Sequence, residues 1–310
     1  MLTYETLEGV YAGLGLPWKK DGSLDENVFA ETITRLVDDY GVKGIYNGGS
    51  TGEFFAQDFD LFKTTTDILI ETLDGKNVFT QIGIGALTTE QMVKRGQYAI
   101  EKGADGLQVI FPWFYEVSKK EAVGLYRDLS GEFNNFPIIH YDTARGRLKL
   151  DKDLLSEICE VYPNLIGVKY TSFDINSFRK ITLEFPKISF FAGSPWLATF
   201  YQLAGARGSY DVLIYANPPM VLKMYELCTE GKFKEALQIQ EKLQKLYRIV
   251  YDLGFLNYSD SAIDRCIGMS TGFLKGYTVD VKKPYESVSQ SMMDEVKRRV
   301  ATEIPEFLKF

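Results

Sequence analysis

Short apolar runs rich in β-branched and aromatic residues alternate along the chain with longer stretches in which apolar residues recur every three or four positions. The short runs fall at 9–16, 44–48, 78–83, 106–111, 138–141, 165–170, 188–192 and 208–213 and read as strands. Between them the spacing is helical. Residues 28–40, for example, set Phe29, Ile33, Leu36 and Val37 on one stripe behind a cap at Ser23 or Asp25. Eight strands, each followed by a helix, predict a (β/α)8 barrel. A doubly wound open sheet has the same element order, and periodicity does not separate the two.

After about residue 230 the strand signal stops. Residues 232–253, 261–269 and 286–300 keep helical spacing, so the chain is expected to divide into a barrel, 1–230, and a C-terminal helical extension, 231–310. No internal repeat, low-complexity tract or Pro/Ser-rich linker lies between them. The extension is therefore expected to pack on the barrel.

Composition narrows the chemistry. The 310 residues suffice for a large core, and 45% hydrophobic with 25% charged residues is ordinary for a globular enzyme-sized chain. A net charge of −7 argues against a nucleic-acid partner, which would need a basic stripe, and favours small molecules. His140 is the one histidine, so no site in one chain can use two imidazoles, and any Ser-His-Asp or Cys-His device would have to use this residue. Three dispersed cysteines, Cys159, Cys228 and Cys266, outside CxxC spacing, read as reduced thiols of a cytoplasmic protein. The N-terminus lacks the basic and apolar regions of a signal peptide, and no window approaches about 18 apolar residues, so no membrane span is expected.

Three constellations could carry chemistry. Gly48-Gly49-Ser50-Thr51-Gly52-Glu53 follows the second strand directly; its glycines can turn backbone N–H groups towards an anion and its hydroxyls add donors. It is neither a Walker loop nor GxGxxG, and a plain βα turn reads the same way. Lys169 ends the apolar run Leu165-Ile166-Gly167-Val168. Desolvation at such a place favours the free amine, a nucleophile towards carbonyls, whereas a stem on the barrel mouth with its ammonium in water would be inert. His140-Tyr141-Asp142 closes the preceding strand. Alternation sends His140 and Tyr141 to opposite faces, and likewise Lys169 and Tyr170. Tyr141 is then a proton relay or a rim aromatic, and His140 reads best as a packing histidine on the helix-facing side. Arg145 and Arg147 could hold a substrate carboxylate or belong to a solvated loop. Phe111-Pro112-Trp113-Phe114-Tyr115 could line a pocket or meet a neighbouring subunit.

Taken together these motifs resemble the dihydrodipicolinate synthase / N-acetylneuraminate lyase family. The stretch 44–53, GIYNGGSTGE, looks like its first signature, in wording closer to the neuraminate lyases than to the synthases, which more often carry two threonines. Tyr141 and Lys169 stand 28 positions apart, the family's spacing between tyrosine and Schiff-base lysine, and Lys169-Tyr170-Thr171-Ser172 is similar to its K-x-T-S run. The resemblance implies class I aldolase chemistry on pyruvate or another 2-keto acid, without metal or cofactor, in a homodimer or homotetramer. It implies that Lys169 forms the imine, Tyr141 shuttles protons, and Ser50 and Thr51 hold the carboxylate beside Gly49, Thr171 and Gly193.

Departures bear on the second substrate. The family's proline after the tyrosine is Ala144, the synthases' arginine falls on Gly146 between Arg145 and Arg147, and the tyrosine lent across a subunit interface falls on Phe114, with Tyr115 adjacent. Where neuraminate lyases have Asp-Glu for the sugar tail, Gly193-Ser194 leads into Pro195-Trp196, which argues against sialic acid. The expectation is a Schiff-base lyase with its second substrate unassigned. Dihydrodipicolinate synthase proper, a dehydratase or deaminase using the same lysine, and a non-catalytic keto-acid-binding barrel are the alternatives.

Overall fold

Strands β1 (Gly9–Gly13), β2 (Gly44–Asn47), β3 (Phe79–Gly83) and β4 (Gly106–Val109) continue into β5 (Ile138–Asp142), β6 (Leu165–Tyr170), β7 (Ser189–Gly193) and β8 (Gly208–Asp211). All neighbours are parallel and β1 pairs with β8, closing a barrel in sequence order. Closure excludes the open doubly wound sheet. The structure is a computed structural model that describes residues 1–171, 174–193, 195–254 and 258–308.

Helices α1 (Glu26–Thr34), α2 (Phe59–Leu73), α3 (Thr89–Lys102), α4 (Lys119–Phe133), α5 (Lys152–Val161), α6 (Ile175–Glu184), α7 (Leu197–Ala204) and α8 (Pro218–Thr229) follow the strands in turn. Asp25, not Ser23, caps α1 by accepting the Val28 N–H, and the turn at Arg35–Asp39 widens into a π-helix. After α8 come α9 (Phe233–Asp252), α10 (Asp260–Ser270) and α11 (Gln290–Glu303). Among the described residues no helix is long and apolar enough to cross a membrane.

The inward and outward faces of β5 and β6 follow from what each residue meets. Outward, His140 shares a 2.6 Å hydrogen bond between its Nδ1 and the Tyr126 hydroxyl of α4, and Tyr170 meets Phe178 of α6 edge-on. Burial lowers the His140 pKa to about 3, so this ring stays neutral. Tyr141 and Lys169 therefore point inward, and the strand register sets them directly opposite each other. Below them Tyr11, Tyr46, Ile139, Ile166, Phe191 and Tyr210 fill the barrel interior.

Helix α10 and the segment around Lys282 are tied to the barrel through Glu53. This residue adopts a left-handed backbone (φ 50°) and buries its carboxylate completely. It accepts hydrogen bonds from Trp18 Nε1 at 2.7 Å, the Lys282 N–H at 2.6 Å and Arg265 Nη2 of α10 at 3.2 Å. Removing one partner of a buried ion pair leaves the other charge uncompensated. Arg265→Met is expected to destabilise the fold by roughly 3–5 kcal/mol, read from urea unfolding. A change within about 0.5 kcal/mol would show that the pair contributes little.

Candidate active site

Gly48 has φ +87°, and a Cβ there would come within 2.7 Å of the Gly83 carbonyl oxygen. Only glycine lets the loop after β2 cross β3 so closely, and this crossing delivers Ser50 and Thr51 to the barrel mouth. There they meet Tyr141, Lys169, Thr171, Gly193 and Arg145 around a cavity of about 680 Å³. It lies at the C-terminal ends of the strands, where barrels of this type carry their sites. Gly49 is not among the lining residues: it turns beneath the loop, where a Cβ would touch the Tyr46 ring at 2.7 Å.

Lys169 Nζ sits 3.9 Å from the centre of the Tyr141 ring, with the Tyr210 and Tyr46 rings at 5.4 and 5.6 Å. Three π-faces thus surround the nitrogen, and among the described residues no carboxylate pairs with it. Burial holds the Tyr46 and Tyr210 phenols well above their ordinary pKa. Thr171 donates its hydroxyl to the Asp142 carbonyl at 2.8 Å, pinning the end of β6 to β5. Burial also raises the Asp142 carboxyl to about pKa 6.

The two arginines diverge. Arg145 lines the cavity and its Nη2 pairs with Asp260 at 2.7 Å, joining the loop after β5 to the start of α10. Arg147 turns away and donates to the Phe114 carbonyl at 2.8 Å. Between them Gly146 is buried, and a Cβ there would lie 3.5 Å from Phe111. Phe114 and Tyr115 are 65% and 78% exposed and border a separate surface groove with Leu87. Trp113 instead packs on Phe54 beside a second cavity of about 450 Å³, which shares Ser50, Arg145 and Asp260 with the first as a common wall. Ser172 and Ser194 lie outside the described residues.

Sequence reasoning reached Pro195 and Trp196 of the opposite wall but missed the rest of it. Trp196, Gln244, Tyr247, Arg248, Tyr251, Asp260 and Asp264 all face the cavity. The α9 members have the spacing i, i+3, i+4, i+7 and the α10 pair i, i+4, so each set was visible as one helix face. Nothing in the spacing says that these faces look onto the barrel mouth. Thr51 donates its hydroxyl to Asp264 at 2.6 Å, and burial, with Asp260 one turn away, pushes the Asp264 carboxyl up to about pKa 8.

A closed parallel eight-stranded barrel with a lysine and a tyrosine side by side at its mouth is an architecture fit for carbonyl chemistry. Residues 6–303 match the dihydrodipicolinate synthetase family, and the chain belongs to that family. It is 27% identical to an N-acetylneuraminate lyase from Fusobacterium nucleatum over 94% of this chain and 97% of the relative. It is 25% identical to a 4-hydroxy-tetrahydrodipicolinate synthase from Bartonella bacilliformis over 79% of this chain and 83% of that one. The crystal structure of the Fusobacterium lyase superposes with a TM-score of 0.84 at 25% identity, covering 98% of this chain and 99% of the other.

Proposed function

We propose that this protein is a Schiff-base-forming lyase acting on pyruvate or another 2-keto acid. The observation that carries the reading is the placement of Lys169 Nζ inside the cavity against the Tyr141 ring. The amine lone pair adds to the keto carbon, and Tyr141 carries one proton from nitrogen to the former carbonyl oxygen. A second proton, drawn from solvent through the same phenol, lets that oxygen leave as water while the nitrogen keeps its remaining proton. The resulting protonated imine draws electrons from the adjacent carbon, so a C–C bond there forms or breaks through an enamine near neutral pH. Ser50 and Thr51 hold the keto-acid carboxylate. Treating the protein with pyruvate and borohydride is expected to fix one reduced adduct per chain, seen by intact-mass measurement. An unchanged mass would sink the proposal.

In this reading residues 1–230 form a barrel that supplies the imine chemistry, and the extension, residues 231–310, joins Pro195 and Trp196 in the wall that selects the second substrate. Trp196, the stacked pair Tyr247 and Tyr251, and the exposed cation Arg248 support a partner with an apolar or ring face and an anionic group. Pro195 and Trp196 bring no carboxylate to this wall, which counts against a sialic-acid tail. Trp196→Ala is expected to raise KM for the second substrate by about tenfold, on the order of 1–1.5 kcal/mol of aromatic contact. Steady-state kinetics on whichever aldehyde a screen identifies would check this, and an unchanged KM would take Trp196 out of the subsite. The free thiols of Cys159, Cys228 and Cys266 support a cytoplasmic setting, and the exposed Leu87, Phe114 and Tyr115 support a homo-oligomer.

A further inference from the structure

Among the described residues Asp264 is the one buried carboxylate on the cavity wall that the imine chemistry above leaves unused. It sits in the middle of α10, 5% exposed, with Thr51, 8% exposed, against it. Among the described residues it forms no ion pair, and the Thr51 hydroxyl is its sole hydrogen-bond partner. A hydroxyl has one proton to give, whereas an ionised carboxylate can only accept. The two groups therefore have two arrangements. With Asp264 charged, the Thr51 proton goes to Asp264 and only oxygen lone pairs face the cavity. With Asp264 uncharged, its own O–H donates to Thr51 Oγ1, and the Thr51 proton turns to the cavity.

We propose that Asp264 is a positioning residue that sets the direction of the Thr51 hydroxyl, so that the site holds a keto-acid carboxylate only while Asp264 is uncharged. The inference rests on the reading that Thr51 binds that carboxylate. A charged Asp264 would both remove a donor and place an anion beside an anionic substrate. The groups that face Asp264 are Asp260 on its own helix, Lys169 of β6, Arg145 of the loop after β5, Tyr247 and Tyr251 of α9, and Tyr215 after β8. Lys169 and Arg145 favour the charged form, but Arg145 is engaged with Asp260 and burial outweighs both. The balance at about pKa 8 leaves Asp264 mostly protonated at pH 7 and mostly ionised at pH 9.

The competent fraction then falls about tenfold between pH 7 and 9, and apparent pyruvate affinity falls with it. In Asp264→Asn the amide donates to Thr51 at every pH, so this component vanishes. The test measures the pyruvate concentration that half-saturates cyanoborohydride trapping at pH 7 and pH 9, in wild type and in Asp264→Asn. The wild-type rise is expected to exceed that of the variant by about tenfold. Equal shifts would overturn the role of Asp264, because a merely structural residue does not move a pH profile. No adduct in either protein at either pH would sink the imine reading instead. Asp264→Ser, which likewise cannot ionise, repeats the comparison if the asparagine variant does not fold.

Discussion

Lys169→Ala is expected to lose the borohydride-trapped pyruvate adduct altogether, and kcat with it by roughly 10⁴-fold or more. Among the described residues Lys169 is the sole lysine lining the cavity, so no second amine there takes over the carbonyl. Without the imine the carbon next to the carbonyl has no electron sink, and the barrier to breaking or forming its C–C bond reverts towards that in water. Lys169→Arg is expected to fail as well. A guanidinium fits among the three tyrosine rings but stays protonated and does not condense with a ketone. The decisive comparison is intact mass after pyruvate and borohydride. Equal labelling of wild type and Lys169→Ala would place the reactive amine elsewhere.

Tyr141→Phe is expected to lower kcat by roughly 10²–10⁴-fold while leaving the fold and the half-saturating pyruvate concentration nearly unchanged. The ring packs on Phe54 and Ile110 and lies under the Lys169 nitrogen, and phenylalanine keeps both contacts. Only the hydroxyl is lost, and with it the group able to carry a proton between amine, carbinol and departing water. Trapping should persist but slow, since water can carry the same proton less effectively. A kcat equal to that of wild type would remove Tyr141 from the mechanism and leave it as the aromatic floor of the lysine.

Much of the barrel was legible because eight short apolar runs can bury both faces only in a parallel sheet covered by helices. The runs at 44–48, 138–141 and 165–170 fall on β2, β5 and β6 with shifts of a residue or less. The run at 9–16 overshoots β1, which ends at Gly13, because Leu14 and Leu16 are buried in the loop that follows. Apolar residues in a packed loop look the same in sequence as those in a strand. Tyr141 and Lys169 could be singled out, yet the choice between His140 and Tyr141 as the inward residue could not be made from period two. The contact of His140 with Tyr126 decides it. Arg145 and Arg147 looked equivalent in sequence, and the buried turn at Gly146 sends one to the cavity and the other to Phe114.

By itself, then, the amino-acid order determined the element sequence, the lysine and tyrosine motifs and the glycine-rich loop, since these are local in the chain or carried by short spacings. Only the tertiary structure decided that α9 and α10 wall the cavity and that Asp264 meets Thr51 from 213 positions away. Helix periodicity states which residues share a face, but what that face meets depends on how the chain closes on itself.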